Sequence, residues 1–229
     1  MRQLHADPGR PRPAADDRHP HRGEILAGVR PAALRYGATL VALAALWLAM
    51  LLLGGGPLDR AIYEGLYAGH RPALATTARI LTALGDPTVL IAAGIACAAW
   101  LWLAGHRRLP LVLIAIVLVG RGLSEAQKYW IARVRPDLEP HLVVVKTSSF
   151  PSGHAASSMI FYLTVALALT AGTRWHRAAA AGAILLSLAI GASRVMLGVH
   201  WPSDVIGGWA FGLLWVLITL RLAKRLFPA

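Results

Sequence analysis

The chain alternates between long apolar runs and short polar connections. Six apolar runs stand out, and each is close to the roughly 20 residues that a helix needs to cross the hydrocarbon core of a bilayer. This pattern predicts an all-α, polytopic membrane protein with six transmembrane helices. The predicted crossings lie at about 34–54, 86–104, 109–127, 155–172, 177–195 and 204–222.

The stretch between the first two apolar runs has a mixed pattern. Three glycines and a proline, at positions 54–57, end the first run. Residues 58–86 then mix apolar positions with charged ones such as Arg60 and Glu64, so the stretch is too polar to span a bilayer and too apolar for a plain loop. We expect helices that lie at the outer membrane interface here.

Both ends of the chain are polar. Residues 1–33 are rich in Arg, Pro, His and Asp and contain no apolar run, which excludes a secretory signal and predicts a disordered, basic cytoplasmic tail. The histidines of this tail lack the spacing of metal ligands. The predicted organisation is therefore the tail 1–33, a six-helix membrane domain over 34–222, and a short basic cytoplasmic tail over 223–229.

The basic residues determine the expected orientation. They give a formal net charge of +12 but sit in short clusters between apolar runs, in a chain that is 56% hydrophobic. A nucleic-acid groove needs a folded polar surface, so no nucleic-acid partner is predicted. The positive-inside rule instead places both termini in the cytoplasm and the connections 55–85, 128–154 and 196–203 outside the cytoplasmic membrane. The oligomeric state stays open.

Two of these outer connections carry cations against that rule. Lys128 and Arg135 are seven residues apart, nearly two helical turns, so a continuous helix projects them from one face, and Arg133 is expected to point elsewhere. Pro136 disfavours helical geometry at Arg135, so the helix is expected to stop there. Snorkelling membrane anchors are the alternative interpretation of this stretch.

A second stretch, residues 148–154, directly precedes the fourth apolar run. It combines serines with Gly153 and ends at His154. Free backbone N–H groups at a helix start, with the positive end of the helix dipole, form an anion site, and His154 can exchange protons near neutral pH. An ordinary helix N-cap with an interfacial histidine is the alternative.

A third stretch, residues 193–204, joins the last two apolar runs. Asp204 follows His200 by four residues, and Pro202 suits the first turn of a helix. A carboxylate that is hydrogen-bonded to one ring nitrogen fixes the tautomer and leaves the lone pair of the other nitrogen free to attack. The alternative interpretation is that His200 and Asp204 are structural polar residues without a catalytic role.

Together the three stretches resemble the type 2 phosphatidic acid phosphatase family, whose superfamily also holds bacterial acid phosphatases and vanadium haloperoxidases. The family pattern is Lys, six residues, Arg-Pro; then Pro-Ser-Gly-His; then Ser-Arg, five residues, His, three residues, Asp. All three motifs are complete and in order at residues 128–136, 151–154 and 193–204.

The resemblance implies a role for each matched residue. His200 is the expected nucleophile, Asp204 its orienting partner, and His154 the general acid. No metal or cofactor is predicted, because three fixed cations can disperse the charge of a phosphoryl group in the transition state. The expected phosphate cradle consists of Lys128, Arg135, Ser152, Gly153 and Arg194. Arg121 and Glu125, spaced four residues apart, are interpreted as an internal ion pair.

The function expected from this resemblance is hydrolysis of a lipid phosphate or pyrophosphate at the outer face of the cytoplasmic membrane, through a phosphohistidine intermediate. Undecaprenyl pyrophosphate and phosphatidylglycerol phosphate are the favoured substrates, while phosphatidic acid and a lipid A phosphate are compatible. The alternatives are a lipid phosphotransferase that uses the same phosphohistidine, a vanadium haloperoxidase, and a non-catalytic lipid transporter with a degraded site.

Overall fold

The computed structural model describes residues 22–226, and every regular element within that range is an α-helix. Residues 1–21 of the predicted tail, with their histidines, and residues 227–229 lie outside the described part. The helices are α1 (Arg22–Leu53), α2 (Pro57–Leu66), α3 (Pro72–Leu84), α4 (Pro87–Leu103), α5 (Arg108–Ile131), α6 (Gly153–Leu169), α7 (His176–Met196) and α8 (Pro202–Leu226).

Four of these helices are long and apolar enough to cross a membrane: α1 from Ala33, α5, α7, and α8 as far as Ala223. Helices α3 and α4 pass the same test only together, as a pair bent by 44°, which raises the number of candidate spans to five. Helix α6 is apolar but has 17 residues. An all-helical membrane fold is therefore confirmed, while the six-crossing arrangement stays a prediction.

Prolines begin the helices of the mixed stretch, which folds into α2 and α3 before the bend into α4. Pro57, Pro72 and Pro87 each occupy the first turn of a helix, where the missing N–H removes no intrahelical hydrogen bond. Asp86 caps α4 by accepting a hydrogen bond of 2.8 Å from the Thr88 N–H.

Helix α5 ends earlier than its sequence predicts. It stops at Ile131, and Ala132 takes the left-handed conformation with φ of 50°. The chain therefore leaves the helix before Arg133, and residues 132–152 form an irregular connection that folds back over the end of α5. The Ser149 N–H donates to the Arg133 carbonyl over 2.8 Å, which ties the two ends of this connection together.

Helix α6 is the centre of the packed bundle and lies against α5, α7 and α8. Its contact with α8 depends on glycines: a Cβ on Gly208 would lie 2.8 Å from the Ser152 carbonyl oxygen, and one on Gly212 would lie 2.8 Å from Met159 Cβ. Small residues let helices approach closely in membrane proteins. The close approach holds the N-terminus of α6 beside the N-terminus of α8.

Candidate active site

His200 and Asp204 form a buried pair at the start of α8. The His200 Nδ1 atom lies 3.4 Å from Asp204 Oδ2, and the two residues are 2% and 0% exposed. Asp204 Oδ2 also accepts a hydrogen bond of 2.9 Å from the Trp201 N–H. This backbone contact fixes the carboxylate in the first turn of α8, where the helix dipole favours negative charge.

Arg135 determines which nitrogen of His200 carries the proton. Its Nη1 atom lies 3.1 Å from His200 Nε2. A guanidinium can only donate, so Nε2 accepts this hydrogen bond and the ring proton resides on Nδ1, facing Asp204. The lone pair of Nε2 therefore points out of the pair and towards the cations.

The surroundings of His200 also keep its ring neutral. Burial is the largest cause that lowers the pKa of His200 well below its ordinary value, followed by the charges of Arg135, Arg194 and Lys128. An imidazole can attack phosphorus only when it is unprotonated. Burial and the neighbouring cations therefore both favour the neutral form of the His200 ring.

The other two predicted cations are buried around the same point. Lys128 Nζ donates to Thr147 Oγ1 over 3.2 Å, and Arg194 Nη1 donates to Thr82 Oγ1 over 2.6 Å. Among the described residues, the buried Arg194 Nε has no hydrogen-bond partner. A buried, unsatisfied N–H is expensive, so this donor is available to an anion.

The predicted anion nest lies next to Lys128. A Cβ on Gly153 would lie 3.0 Å from Lys128 Nζ, so a side chain here would crowd the ammonium group. Ser152 is the N-cap of α6, and its N–H donates to the Asp204 carbonyl oxygen over 2.9 Å. The buried Ser152 Oγ atom has no partner within the described range. The helix terminus therefore presents free polar groups beside a cation.

His154 lies on the first turn of α6, facing the bend between α3 and α4. Its Cδ2 atom is 3.2 Å from the position that a Cβ on Gly85 would take. The ring forms no hydrogen bond with another residue of the described range, and it is only half-buried. The structure thus brings all eight predicted residues to one end of the bundle, with His154 on the side of α4.

Arg133 is a correction to the sequence analysis. The prediction that it points away from the site is wrong, because α5 ends before it and the irregular connection turns its side chain inwards. Arg133 Nη1 donates to Asp204 Oδ1 over 2.9 Å, while Nη2 donates to the carbonyl oxygens of Met50, over 3.0 Å, and Leu51. One guanidinium therefore joins the end of α1 to the carboxylate beside His200.

Glu125 is a second correction, because its carboxylate lies 3.8 Å from Lys128 Nζ and the expected ion pair with Arg121 is not formed. Ser149, which the sequence analysis also missed, donates its hydroxyl to Asp204 Oδ2. Its place two residues before the Pro-Ser-Gly-His motif was the available signal.

Asp59 was missed as well. Its Oδ1 atom accepts a hydrogen bond of 2.9 Å from the Ser203 N–H, and its Oδ2 atom accepts one of 2.7 Å from the Gly55 N–H. Ser203 precedes Asp204, so this contact fixes the start of α8 against the start of α2. No spacing in the sequence links positions that are this far apart.

A comparison with protein families identifies the family of this chain. The family model described as the PAP2 superfamily matches residues 109–228. This range covers all three motifs and runs from the second residue of α5 past the end of α8. The chain belongs to the PAP2 superfamily. Among solved structures, a transmembrane PAP2-type phosphatidylglycerolphosphate phosphatase from Bacillus subtilis superimposes with a TM-score of 0.76 and 26% identity, covering 83% of this chain and 98% of that one.

Named relatives of this PAP2 chain are phosphatases. Phosphatidylglycerophosphatase B of Bacillus subtilis is 31% identical over 160 residues, which are 68% of this chain and 78% of the relative. An undecaprenyl-diphosphatase of Sulfolobus acidocaldarius is 35% identical over 111 residues, 46% of this chain and 51% of the relative. The chain thus spans about half the length of the second relative. Its enzyme class is that of these phosphatases, the hydrolases.

Proposed function

We propose that this PAP2 chain is a metal-independent lipid phosphatase that forms a phosphohistidine on His200. The observation that supports this most directly is the hydrogen bond from Arg135 Nη1 to His200 Nε2 over 3.1 Å. This contact supports Nε2 as the unprotonated nitrogen, and Arg135 would bind a phosphoryl oxygen from the same position. Substrate oxygens would replace Nε2 as the acceptor of this hydrogen bond and leave the lone pair free.

In the first step, His200 Nε2 attacks the phosphorus atom and the bond from phosphorus to the lipid oxygen breaks. The electron pair of that bond goes to the lipid oxygen, which takes a proton from His154. Asp204 stabilises the positive ring by accepting from Nδ1–H. Lys128, Arg135 and Arg194 disperse the charge on the phosphoryl oxygens.

In the second step, water attacks the phosphorus atom and gives a proton to His154, now the base. The bond from phosphorus to Nε2 breaks, its electron pair returns to the ring, and inorganic phosphate leaves. Ser152 and Gly153 would bind the phosphate through the free groups at the start of α6. The same residue thus serves as acid and then as base.

The expected substrate is phosphatidylglycerol phosphate or undecaprenyl pyrophosphate. We would measure phosphate release from both, and from phosphatidic acid, with the purified full chain in detergent and EDTA. Wild type should release phosphate and His200→Ala should not, whereas His70→Ala, which changes an exposed histidine, should behave like wild type. Release that persists in His200→Ala would refute the nucleophile.

The intermediate has its own test. Rapid quenching into alkali preserves bonds between phosphorus and nitrogen, so labelled substrate should leave labelled phosphate on the wild-type chain and none on His200→Ala. Because no acceptor lipid is added, free phosphate as the product also separates hydrolysis from phosphotransfer. A wild-type chain that releases phosphate only when an acceptor lipid is supplied would favour the transferase.

We further propose six crossings, formed by α1 and α4 to α8, with α2 and α3 at the outer interface, both polar tails in the cytoplasm and the site outside the cytoplasmic membrane. Intact cells that carry the Cys97→Ala chain with Glu139→Cys should react with a membrane-impermeant maleimide. The same background with Arg107→Cys should react only after the cells are opened. Reversed labelling would overturn the orientation.

A further inference from the structure

An apolar cleft of about 230 Å³ lies between α4, α5 and α6. It begins beside the candidate site, because Pro87 at the start of α4 and Ser157, one turn after His154, both line it. From there it follows the helices away from the site. Apart from Arg121, the rest of its wall is apolar and includes Leu90, Ile91, Leu113, Ile114, Val117 and Phe161.

The side chain of Arg121 is the one cation on this wall, and it lies at the end nearer the site. It precedes Lys128 by seven residues, which places the two about 10 Å apart along α5. Within the described range, Arg121 forms no hydrogen bond or ion pair. Glu125, four residues later on the same helix, pairs with Lys128 instead. An unpaired guanidinium at this depth of a membrane helix is costly and calls for an anionic partner.

We propose that this cleft holds the lipid part of the substrate and that Arg121 binds a second anionic group of the same lipid, a phosphodiester. The proposal rests on the proposed function, and it selects a glycerophospholipid that carries a terminal phosphomonoester and an internal phosphodiester. Its acyl chain would occupy the apolar wall beyond Arg121.

The position of His154 supports this arrangement. His154 would protonate the leaving lipid oxygen, so the leaving group departs towards α4, where the cleft begins. A three-carbon glycerol bridge then separates that oxygen from the phosphodiester. Lys128 and Arg121 lie on the same helix and have long side chains. The spacing of their charged groups suits two anionic groups with such a bridge between them. The two phosphates of a diphosphate share one oxygen and are too close together to meet both.

The test compares two substrates with identical acyl chains, phosphatidylglycerol phosphate and phosphatidic acid, which lacks the phosphodiester. We expect Arg121→Gln to lower kcat/KM for phosphatidylglycerol phosphate by about 10- to 100-fold, the range of a charge-assisted hydrogen bond, mainly through KM. For phosphatidic acid the value should change less than about threefold. Arg121→Lys should restore part of the difference, and Arg79→Gln, an exposed change on α3, should affect neither substrate.

Failure of this inference is separable from failure of the proposed function. An equal loss on both substrates, or no loss on either, would overturn the phosphodiester contact while wild-type phosphate release stood. If Arg121→Gln proves unstable in detergent, Glu125→Gln provides a second measure, because removing the nearby carboxylate should tighten binding of the doubly anionic lipid more than that of phosphatidic acid. An unchanged or reversed preference in Glu125→Gln would overturn the inference too.

Discussion

Helices α1 and α6 are both apolar, yet they differ in how the protein uses them. Most of the residues in the first three turns of α6 are buried, whereas none in the apolar part of α1, from Ala33, is buried. Helix α6 therefore builds the core, while the C-terminal end of α1 contacts the connection over residues 132–152. There the carbonyls of Met50 and Leu51 accept from Arg133, and Trp47 lies 5.6 Å from Phe150.

Removing the connection between α1 and the site should have the largest effect. Arg133→Ala takes the ion-pair partner from Asp204, whose carboxylate is fully buried. Loss of one partner of such a pair destabilises proteins by about 3–5 kcal/mol. We also expect kcat to fall by about 100-fold, because His200 loses a rigidly held orienting group.

The readouts for Arg133 separate positioning from general unfolding. Arg133→Lys keeps a charge beside Asp204 but cannot donate to α1 and the carboxylate as a fork, so its kcat should lie between those of wild type and Arg133→Ala. Arg60→Ala, an exposed change on α2, is the matched control. A normal kcat in folded Arg133→Ala would contradict the positioning role.

Packing substitutions should be next in size and should differ between the two helices. Ile160 on α6 is 1% exposed, and Leu52 on α1 is 72% exposed. In detergent, Ile160→Ala should lower the free energy of unfolding by about 2–4 kcal/mol because it leaves a cavity. Leu52→Ala should change it by less than about 0.5 kcal/mol. Equal effects in a thermal unfolding series would mean that α1 packs as α6 does.

The pH dependence of stability should be the smallest of these effects. The pKa of His200 is lowered in the folded protein, chiefly by burial, while the unfolded chain titrates at about 6.5. As the pH falls, the unfolded state therefore takes up a proton on His200 before the folded state does. The part of the free energy of unfolding that is present above about pH 6.5 is lost as the pH falls below that value. The Tm of wild type should drop between pH 7.5 and pH 5.

This loss should be smaller in His200→Asn, which has no titrating ring at the buried position. The exposed His70 provides the control, since His70→Asn should keep the wild-type slope. Identical slopes in wild type and His200→Asn would assign the pH dependence to other groups.

The sequence was informative where chemistry is local. Asp204 follows His200 by four residues, and Gly153 precedes His154 at a helix start, so spacing along the chain predicted that the members of each pair lie together. The apolar runs likewise matched α4, α5, α7 and α8 to within a few residues at most ends. The helix bounds depend on the length of the apolar runs, and the residue pairs depend on closeness in the chain.

The parts that the sequence did not reveal depend on the backbone between helices. Ala132, in the left-handed conformation, ends α5 early and redirects Arg133. Alanine seldom takes a positive φ, so its presence does not predict this turn. The irregular connection over residues 132–152 then brings Ser149 to Asp204. A helical projection cannot predict either contact, because both residues lie outside a helix.

The hydrogen bond between Asp59 and the Ser203 N–H has a consequence for biosynthesis. It joins residues 144 positions apart, and the contact of Arg133 with Met50 joins residues 83 apart. A ribosome delivers α2 to the membrane long before α8 has been synthesised. The side chains of Asp59, Arg133 and Ser149 that contact Ser203 and Asp204 therefore lack these partners until α8 has been synthesised.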